Sequence, residues 1–198
     1  MIKIYAYTEY WHVKGIKEIF QPCREFASSN GFTFKKTDSK DKYSYWKILN
    51  SYWNKDEIIL MEHDILPTQE QLQEIIDCKY KDCAFLYDTD LSPTSFNPHT
   101  SAWDFKSTSL NWQEGILGSN IIHYDRSNPL EFAQGTTNGF IKISKARQDA
   151  IDFSIPIEYY RGIDSYISYV GAQKGFKIHL HKYVEHRHKT NYRLILRL

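Results

Sequence analysis

The stretch "EIILMEHDILPTQEQL", Glu57 to Leu72, joins an apolar run, an acidic triplet and a helical pattern. Its first part is an apolar run from Ile58 to Met61, which is typical of a strand buried on both faces of a sheet. Pro67 and Thr68 then precede a helical pattern from Gln69 to Asp77, and Thr68 is of a type favoured at helix N-caps. The stretch therefore predicts a strand–loop–helix unit whose loop begins with two acidic residues around a histidine.

The alternation of strand and helix continues on both sides of this unit. Period-2 and helical patterns predict strands at 2–7, 32–36, 57–61 and 83–87, with helices at 16–27, 43–53 and 69–77 between them. This β-α-β-α-β-α-β order is typical of an α/β domain, with a Rossmann-like mixed, mainly parallel sheet flanked by helices. Ligands bind such sheets beyond the carboxyl ends of the strands. Three polar segments follow predicted strands and are expected to share that edge: Thr8–Glu9, Glu62–Asp64 and Asp88–Asp90.

The second half of the chain is less regular. Residues 89–113 are rich in Ser, Thr, Pro and Asn and are predicted to form a long ordered loop, and long loops in compact domains are often functional. Further patterns predict a strand within 115–124, a turn, strand and helix over 135–151, a helix over 162–173 and a final strand before a basic, histidine-rich tail. With no repeat, low-complexity tract or linker, we expect one domain over residues 1–198.

Composition excludes several classes of protein. Hydrophobic residues make up 41% of the 198, and 25 basic residues nearly balance 24 acidic ones, so nothing predicts disorder or a nucleic-acid partner. No apolar run approaches the roughly 18–20 residues of a membrane span, and the N-terminus lacks a signal-peptide pattern. We therefore expect a cytoplasmic protein, in the host cytoplasm if the chain is viral.

The three cysteines do not predict a disulfide framework, because their number is odd. Cys78 and Cys83 have a C-x4-C spacing that allows a metal site or a disulfide. Since no second pair lies nearby in the sequence, the favoured interpretation is that they act as small apolar residues.

The acidic residues after the central strand suit a divalent cation. In an extended backbone, residues two apart point the same way, so Glu62 and Asp64 would both face the cleft, with His63 turned aside. Mg²⁺ and Mn²⁺ prefer oxygen ligands and often bridge protein carboxylates to substrate phosphates. The alternative is that both residues merely belong to a loop that caps the following helix.

Three segments carry a resemblance to the GT-A class of nucleotide-sugar glycosyltransferases. "IILMEHDILP", residues 58–67, resembles the strand and acidic-x-acidic motif of that class, with Glu62 in place of the first aspartate. "NGFIKISKARQDAI", residues 138–151, is similar to its acceptor-side strand and helix. "GIDSYISYVGAQKGFKIHL", residues 162–180, resembles its late helix, with Asp164 as the acidic residue near the start. The resemblance covers nearly the whole chain and extends to a small enzyme of this class from an archaeal virus.

The resemblance implies a metal-dependent transfer of a sugar from a nucleotide-diphosphate donor to an acceptor hydroxyl. It implies a nucleotide- and metal-binding half over 1–90, an acceptor-side half with the tail over 91–198, and Mn²⁺ or Mg²⁺ as cofactor. It implies that Asp64 binds the metal directly and that Glu62 helps through the metal, a water or the ribose, and it adds His186 as a further metal ligand, with His188 in reserve. It assigns the nucleotide to five further residues: Tyr7, Thr8, Glu9, Lys47 and His63. For Lys47 the plainer interpretation, a solvated lysine on a helix face, is preferred.

On the acceptor side, the resemblance implies a glycan or glycoprotein substrate. Asp164 is the expected general base, or an acceptor-orienting residue if the reaction retains configuration; alternatively it is an acid favoured by the helix dipole. Asn138 and Gly139 would bind the acceptor, although Asn and Gly are also common turn residues. Trp112 and Trp103 would stack on sugar rings, or else anchor their loop in the core.

The late histidines allow other interpretations. His179, His181, His186 and His188 could bind zinc structurally, or belong to a solvated basic tail.

Two other functions compete with glycosyl transfer. A metal-dependent phosphohydrolase or nucleotidyltransferase could use the same acidic pair, and a non-enzymatic viral interaction protein could use the aromatic loop and basic tail. The P-loop, dinucleotide-binding and α/β-hydrolase motifs are absent from the sequence. The sequence leaves the oligomeric state open.

Overall fold

The computed structural model describes residues 4–9, 16–36, 41, 43–89, 99–107, 121–123, 130–153 and 163–186. Within those residues the helices are α1 (Ile16–Ser29), α2 (Ser44–Tyr52), α3 (Gln69–Asp77), α4 (Lys145–Ala150) and α5 (Ile163–Gln173). The strands are β1 (Ile4–Glu9), β2 (Thr33–Lys36), β3 (Ile58–Glu62), β4 (Ile65–Leu66), β5 (Cys83–Leu86), β6 (Asp88–Thr89), β7 (His99–Thr100), β8 (Ala102–Phe105), β9 (Ile121–His123), β10 (Phe132–Ala133), β11 (Gly135–Thr136), β12 (Phe140–Ile143), β13 (Ile178–Tyr183) and β14 (Glu185–His186). Each helix or strand predicted in the N-terminal half is present within one or two residues of its expected bounds.

Seven strands form the central sheet, in the order β10-β13-β5-β12-β3-β1-β2. The pairs β1–β2, β1–β3 and β13–β5 are parallel, whereas β12–β3, β12–β5 and β10–β13 are antiparallel. The predicted class, a Rossmann-like α/β domain with a mixed sheet flanked by helices, is confirmed. Parallel pairing is less dominant than expected, because β12 enters the sheet antiparallel between β3 and β5.

The core lies on both faces of this sheet. Ile58 and Leu60 of β3 pack into a cluster with side chains of α2 and α5, while Ile59 and Met61 pack into a second cluster with side chains of α1 and α3. All four residues are at most 3% exposed. Since successive strand residues point to opposite faces, the apolar run of β3 is explained by its position between two helical layers.

The helix that follows the acidic loop begins with a capping box. Thr68 Oγ1 accepts a hydrogen bond from the backbone N–H of Gln71 at 3.2 Å, and Gln71 Oε1 accepts one from the backbone N–H of Thr68 at 2.9 Å. These bonds satisfy two donors that a helix start otherwise leaves without partners. The predicted N-cap at Thr68 is confirmed, and it fixes where the loop 63–68 ends.

The long segment predicted as a loop contains strands in its described parts. β8 pairs with β9 and β11 in a small antiparallel sheet. Trp103 of β8 is 4% exposed and packs in a cluster with Phe105 and Tyr169, so it anchors this segment in the core. Trp112, the other proposed sugar-stacking residue, lies outside the described residues. None of the described helices is long and apolar enough to cross a bilayer.

Candidate active site

Glu62 is held at the carboxyl end of β3 by strands on both sides. Thr8 of β1 lies opposite Glu62 in the parallel register, and the Glu62 N–H donates to the carbonyl oxygen of Gly139 at 2.8 Å. The strand then ends, and His63 and Asp64 form a turn. The spacing predicted that Glu62 and Asp64 share one face of a continuous strand, and this is wrong. The turn sets their relative position instead.

Asp64 lies beside His186, which is 122 residues away in the sequence. The short strands β4 and β14 pair antiparallel with His186 opposite Ile65, and this register places His186 Nε2 at 3.3 Å from Asp64 Oδ2. The structure thus brings together two of the three side chains expected to bind the metal. Their metal role remains a prediction, and His188 lies outside the described residues.

Asp164 joins the group from the start of α5. Ser168, on the same helix, exchanges hydrogen bonds of 3.2 Å with the backbone N–H and carbonyl of Thr136, which fastens α5 to β11. The Asp164 carboxylate accepts a hydrogen bond from the N–H of Ser165 at 2.8 Å. Its charge acts on Glu62, so the predicted base and the predicted metal ligand belong to one electrostatic cluster.

Burial and neighbouring charge raise the pKa of carboxylates in this cluster. Burial, then the charges of Asp64 and Asp164, raise the pKa of Glu62 to about 8, against the smaller lowering effects of His186 and a Tyr45 hydrogen bond. Burial also raises the pKa of Asp164 above its usual value. Three ionised carboxylates this close together repel one another. A bound divalent cation would offset that repulsion and stabilise the ionised forms.

His63 and Lys47, two of the residues assigned to the nucleotide, lie in different surroundings. His63 is only 4% exposed, and its Nε2 lies 3.9 Å from Asp64 Oδ2, which suits support of Asp64 better than contact with a ligand. Lys47 is exposed on α2 and forms an ion pair of 2.5 Å with Asp41. That contact fits the preferred interpretation of a solvated lysine.

The other residues assigned to the nucleotide, Tyr7, Thr8 and Glu9, close β1 next to Glu62. Their backbone register places Tyr7 opposite Met61 and Thr8 opposite Glu62. The strand end predicted to meet the nucleotide is therefore adjacent to the predicted metal ligands.

Asn138 and Gly139 precede β12 and border the cluster. Asn138 is 2% exposed, and its Nδ2 has no hydrogen-bond partner among the described residues. A Cβ at Gly139 would lie 2.3 Å from Cε1 of Tyr87, so glycine is needed there for the approach of the Tyr87 ring. The two residues form a bend before β12, as expected of a change of direction there, whereas Gly135–Thr136 of the predicted turn form β11. The acceptor-binding role stays a prediction.

Two tyrosines of the cluster were not identified from the sequence. Tyr87, 3% exposed, follows β5; its ring meets the His186 ring edge-on at 4.8 Å, and its hydroxyl bonds to Thr137. Burial and then the charge of Glu62 raise the pKa of Tyr87 well above its usual value. Tyr45 of α2 donates to Glu62 Oε1 at 3.3 Å. The available signal for Tyr87 was its place directly after a buried strand, at the same sheet edge as Glu62.

The chain was also compared with known proteins. No family model matches it, and no curated protein matches its sequence. Among solved structures, A197 from STIV superposes with a TM-score of 0.57 at 10% identity, covering 93% of this chain and 84% of A197. A glycosyltransferase involved in glycosylation of the major capsid of PBCV-1 gives a TM-score of 0.45 at 10% identity, covering 92% and 82%. An inositol-1-phosphate CTP transferase from T. maritima gives 0.35 at 10% identity, covering 91% and 66%. At such identities the likeness to A197 bears on the fold alone.

Proposed function

We propose that this chain is a metal-dependent glycosyltransferase that moves a sugar from a nucleotide-diphosphate donor to a hydroxyl of a glycan or glycoprotein. The observation that carries the proposal is the cluster of Glu62, Asp64, Asp164 and His186. These residues come from β3, the following turn, α5 and β14, yet they act on one another at one edge of the sheet. An acidic cluster alone is compatible with several activities. The resemblance of residues 58–67, 138–151 and 162–180 to GT-A enzymes supports glycosyl transfer among them.

The donor set at this edge fits a hard divalent cation. Asp64 and Glu62 supply carboxylate oxygens and His186 an imidazole nitrogen, which together suit Mn²⁺ or Mg²⁺. When bound, the ion would offset the negative charge of the donor's diphosphate as that group leaves. Tyr45 and Tyr87 hold two of these ligands in place, since one donates to Glu62 and the other packs against the His186 ring.

Asp164 takes the role of general base in this proposal. Its pKa is raised by burial, which makes the carboxylate a better proton acceptor than an exposed aspartate. As the bond between the sugar's anomeric carbon and the diphosphate oxygen breaks, the acceptor oxygen forms a new bond to that carbon. The hydroxyl proton passes to Asp164, and the nucleoside diphosphate leaves. If configuration is retained, Asp164 instead orients the acceptor.

The neighbouring segments divide the substrates between them. The end of β1, beside Glu62, takes the nucleotide. Asn138 is kept on the acceptor side of the proposal as a residue that supports the acceptor floor, because its Nδ2 is buried and lacks a hydrogen-bond partner among the described residues. The proposal therefore assigns the nucleotide mainly to residues 1–90 and the acceptor to residues 91–198.

Calorimetric titration tests this proposal most directly. A panel of nucleoside diphosphates and nucleotide sugars is titrated into the protein with Mn²⁺ or with a chelator. We expect binding of at least one nucleotide to need the metal and to be lost in Asp64→Asn. Asp149→Asn, which changes an exposed carboxylate on α4, is the matched control and should bind like the parent.

The product then separates sugar transfer from its rivals. Incubation of the bound nucleotide sugar with glycan acceptors should yield free nucleoside diphosphate and an elongated glycan. Release of inorganic phosphate or pyrophosphate instead would indicate a phosphohydrolase or nucleotidyltransferase. Nucleotide binding that is indifferent to metal and equal in Asp64→Asn would contradict the proposal.

A further inference from the structure

We propose that Cys78, Cys83 and His181 form a second metal site, for a thiophilic divalent ion such as Zn²⁺. One ligand atom from each of these residues lies within 4.8 Å of the other two. A tetrahedral zinc ion, with Zn–S near 2.3 Å and Zn–N near 2.0 Å, needs ligand atoms roughly 3.5–3.8 Å apart. Side-chain movements of about an ångström therefore complete the site, within what ordinary rotamer adjustment allows.

The fold explains why residues so distant in sequence meet here. Cys78 caps the carboxyl end of α3, and Cys83 begins β5, so the C-x4-C spacing turns the chain from helix to strand at one place. β13 runs parallel to β5, with His179 opposite Cys83 and His181 opposite Phe85. Because side chains alternate across a strand, both histidines share the sheet face of Cys83, beneath α3.

The imidazole of His181 is arranged as metal-binding histidines commonly are. Glu74 Oε1 lies 2.7 Å from His181 Nδ1, while Nε2 is buried and has no hydrogen-bond partner in the described part of the chain. A carboxylate at Nδ1 fixes the proton there and leaves a lone pair on Nε2, as in carboxylate–histidine–zinc arrangements. The side chain is only 7% exposed and its ring stacks on Phe85, so this orientation is held by packing as well.

A fourth donor and a buried cation complete the surroundings. His179 Nδ1 lies 3.8 Å from Cys78 Sγ, at the rim of a cavity of about 370 Å³ through which an ion can enter. Lys142, 3% exposed in its side chain, lies opposite Cys83 and donates to the carbonyl oxygen of Cys78 at 2.9 Å. Burial raises the pKa of the Cys83 thiol, whereas the charge of Lys142 acts to lower it. A coordinated ion would also lower the pKa of the Cys83 thiol, as Lys142 does, and so favour the thiolate.

This site is distinct from the acidic cluster. Cys83 begins β5 and Tyr87 follows its end, a separation of about 13 Å along an extended strand. The two sites also differ in chemistry, because thiolates and imidazole select zinc-like ions whereas carboxylates select Mn²⁺ and Mg²⁺. The proposal therefore does not depend on the glycosyltransferase activity.

Cobalt spectroscopy tests the proposal with the reduced, metal-stripped protein. Titration with Co²⁺ should give one equivalent with a sulfur-to-cobalt charge-transfer band and tetrahedral d–d bands, and Zn²⁺ should displace it. Cys78→Ser should remove the charge-transfer contribution of one thiolate and weaken binding by about 100-fold or more, since even loss of an outer-shell partner costs 10–100-fold. Glu74→Gln, which alters only the partner of His181, should weaken binding by about 10-fold.

Two controls separate this site from the rest of the molecule. Cys23→Ser, a buried cysteine of α1 outside the group, should leave the spectrum unchanged. Asp64→Asn should keep the thiolate band, because it alters only the acidic cluster. His181→Gln is a second ligand variant, which removes the imidazole and keeps both thiols, in case Cys78→Ser fails to fold. A Co²⁺ complex without a thiolate band, or one that Cys78→Ser and His181→Gln leave intact, would overturn the proposal.

Discussion

Glu62 lies in an environment that strongly raises the pKa of its carboxyl group. It ends a buried strand and lies near two other carboxylates. Among the described residues, His186 and the Tyr45 hydroxyl, which donates a hydrogen bond to Glu62, favour its charged form. Its pKa of about 8 means that, without a metal, the folded protein holds a proton on this side chain at neutral pH. A bound cation would displace that proton, so metal binding at this site is coupled to proton release.

The first prediction concerns the stability of the metal-free protein against pH. Between about pH 4.5 and pH 8 the folded protein keeps the Glu62 proton that the unfolded chain has released. Stability therefore falls as pH rises through this window, by at most about 1.4 kcal/mol per pH unit for one proton. Urea unfolding in the presence of a chelator measures this slope, and Glu62→Gln should flatten it. Glu25→Gln, an exposed glutamate on α1, is the control. Equal slopes for Glu62→Gln and the parent would refute the assigned protonation.

Single residues also mark the limit of what the sequence could reveal about the site. Glu62 and Asp64 can be picked out from the local sequence, because acidic residues directly after a buried apolar strand are unusual and indicate a functional site. Tyr87 does not, since a tyrosine after "CAFL" has the pattern of a core residue, and only the folded sheet brings it to His186. Cys78 and His181 are likewise 103 positions apart in the sequence, so their approach depends on strand pairing alone.

At the scale of elements, the loop between β3 and α3 is fixed at both ends. Its start is tied to β12 by the Glu62–Gly139 backbone bond, and its end by the Thr68 capping box. Gln71 of that box also donates to the carbonyl oxygen of Tyr183 at 3.0 Å, which links α3 to β13. The turn that carries Asp64 is thus placed between two fixed points.

The second prediction tests the capping box. Thr68→Ala removes the side-chain acceptor for the Gln71 N–H, and we expect a loss of about 1 kcal/mol in the free energy of unfolding. Gln69→Ala, at the next position and also exposed, should change it by no more than about 0.5 kcal/mol. Urea denaturation of the two variants and the parent gives both values. A loss in Thr68→Ala no greater than that in Gln69→Ala would show that the box does not stabilise the protein.

Elements were predicted well where local periodicity determines them. The helices α1, α2, α3 and α5 and the strands β1, β2, β3 and β5 follow from helical or strand periods and from caps. Their partners do not, because "FIKI" indicates a strand but not that β12 pairs antiparallel with both β3 and β5. The predominance of parallel pairs was overestimated for this reason.

For the whole molecule, the decisive feature is that the two halves of the chain share one sheet. β12 lies between β3 and β5, and β13 lies on the other side of β5. The residues of β3 and β5 are buried along almost the whole length of each strand. Without β12 between them, both strands would expose apolar side chains and unpaired backbone groups to water. The proposed nucleotide and acceptor halves of the chain are therefore not separate folding units.

The third prediction follows from this shared sheet. Residues 1–90 and 91–198, produced separately, should each be largely unfolded by circular dichroism and by amide dispersion in NMR spectra. Mixing them should restore structure if the halves recognise each other, and the intact chain should unfold in one calorimetric transition. A well-dispersed spectrum from residues 1–90 alone, or two separate transitions for the intact chain, would refute it.

The pairing of β14 with β4 has a consequence for protein synthesis. His186 follows Asp64 by 122 residues in the sequence, so it is synthesised long after the acidic turn. At about 5–20 residues per second, that delay is roughly 6–24 seconds. A nascent chain therefore passes through a period in which the carboxylates are present but the pair is incomplete. The proposed metal site would lack one of its ligands during that period.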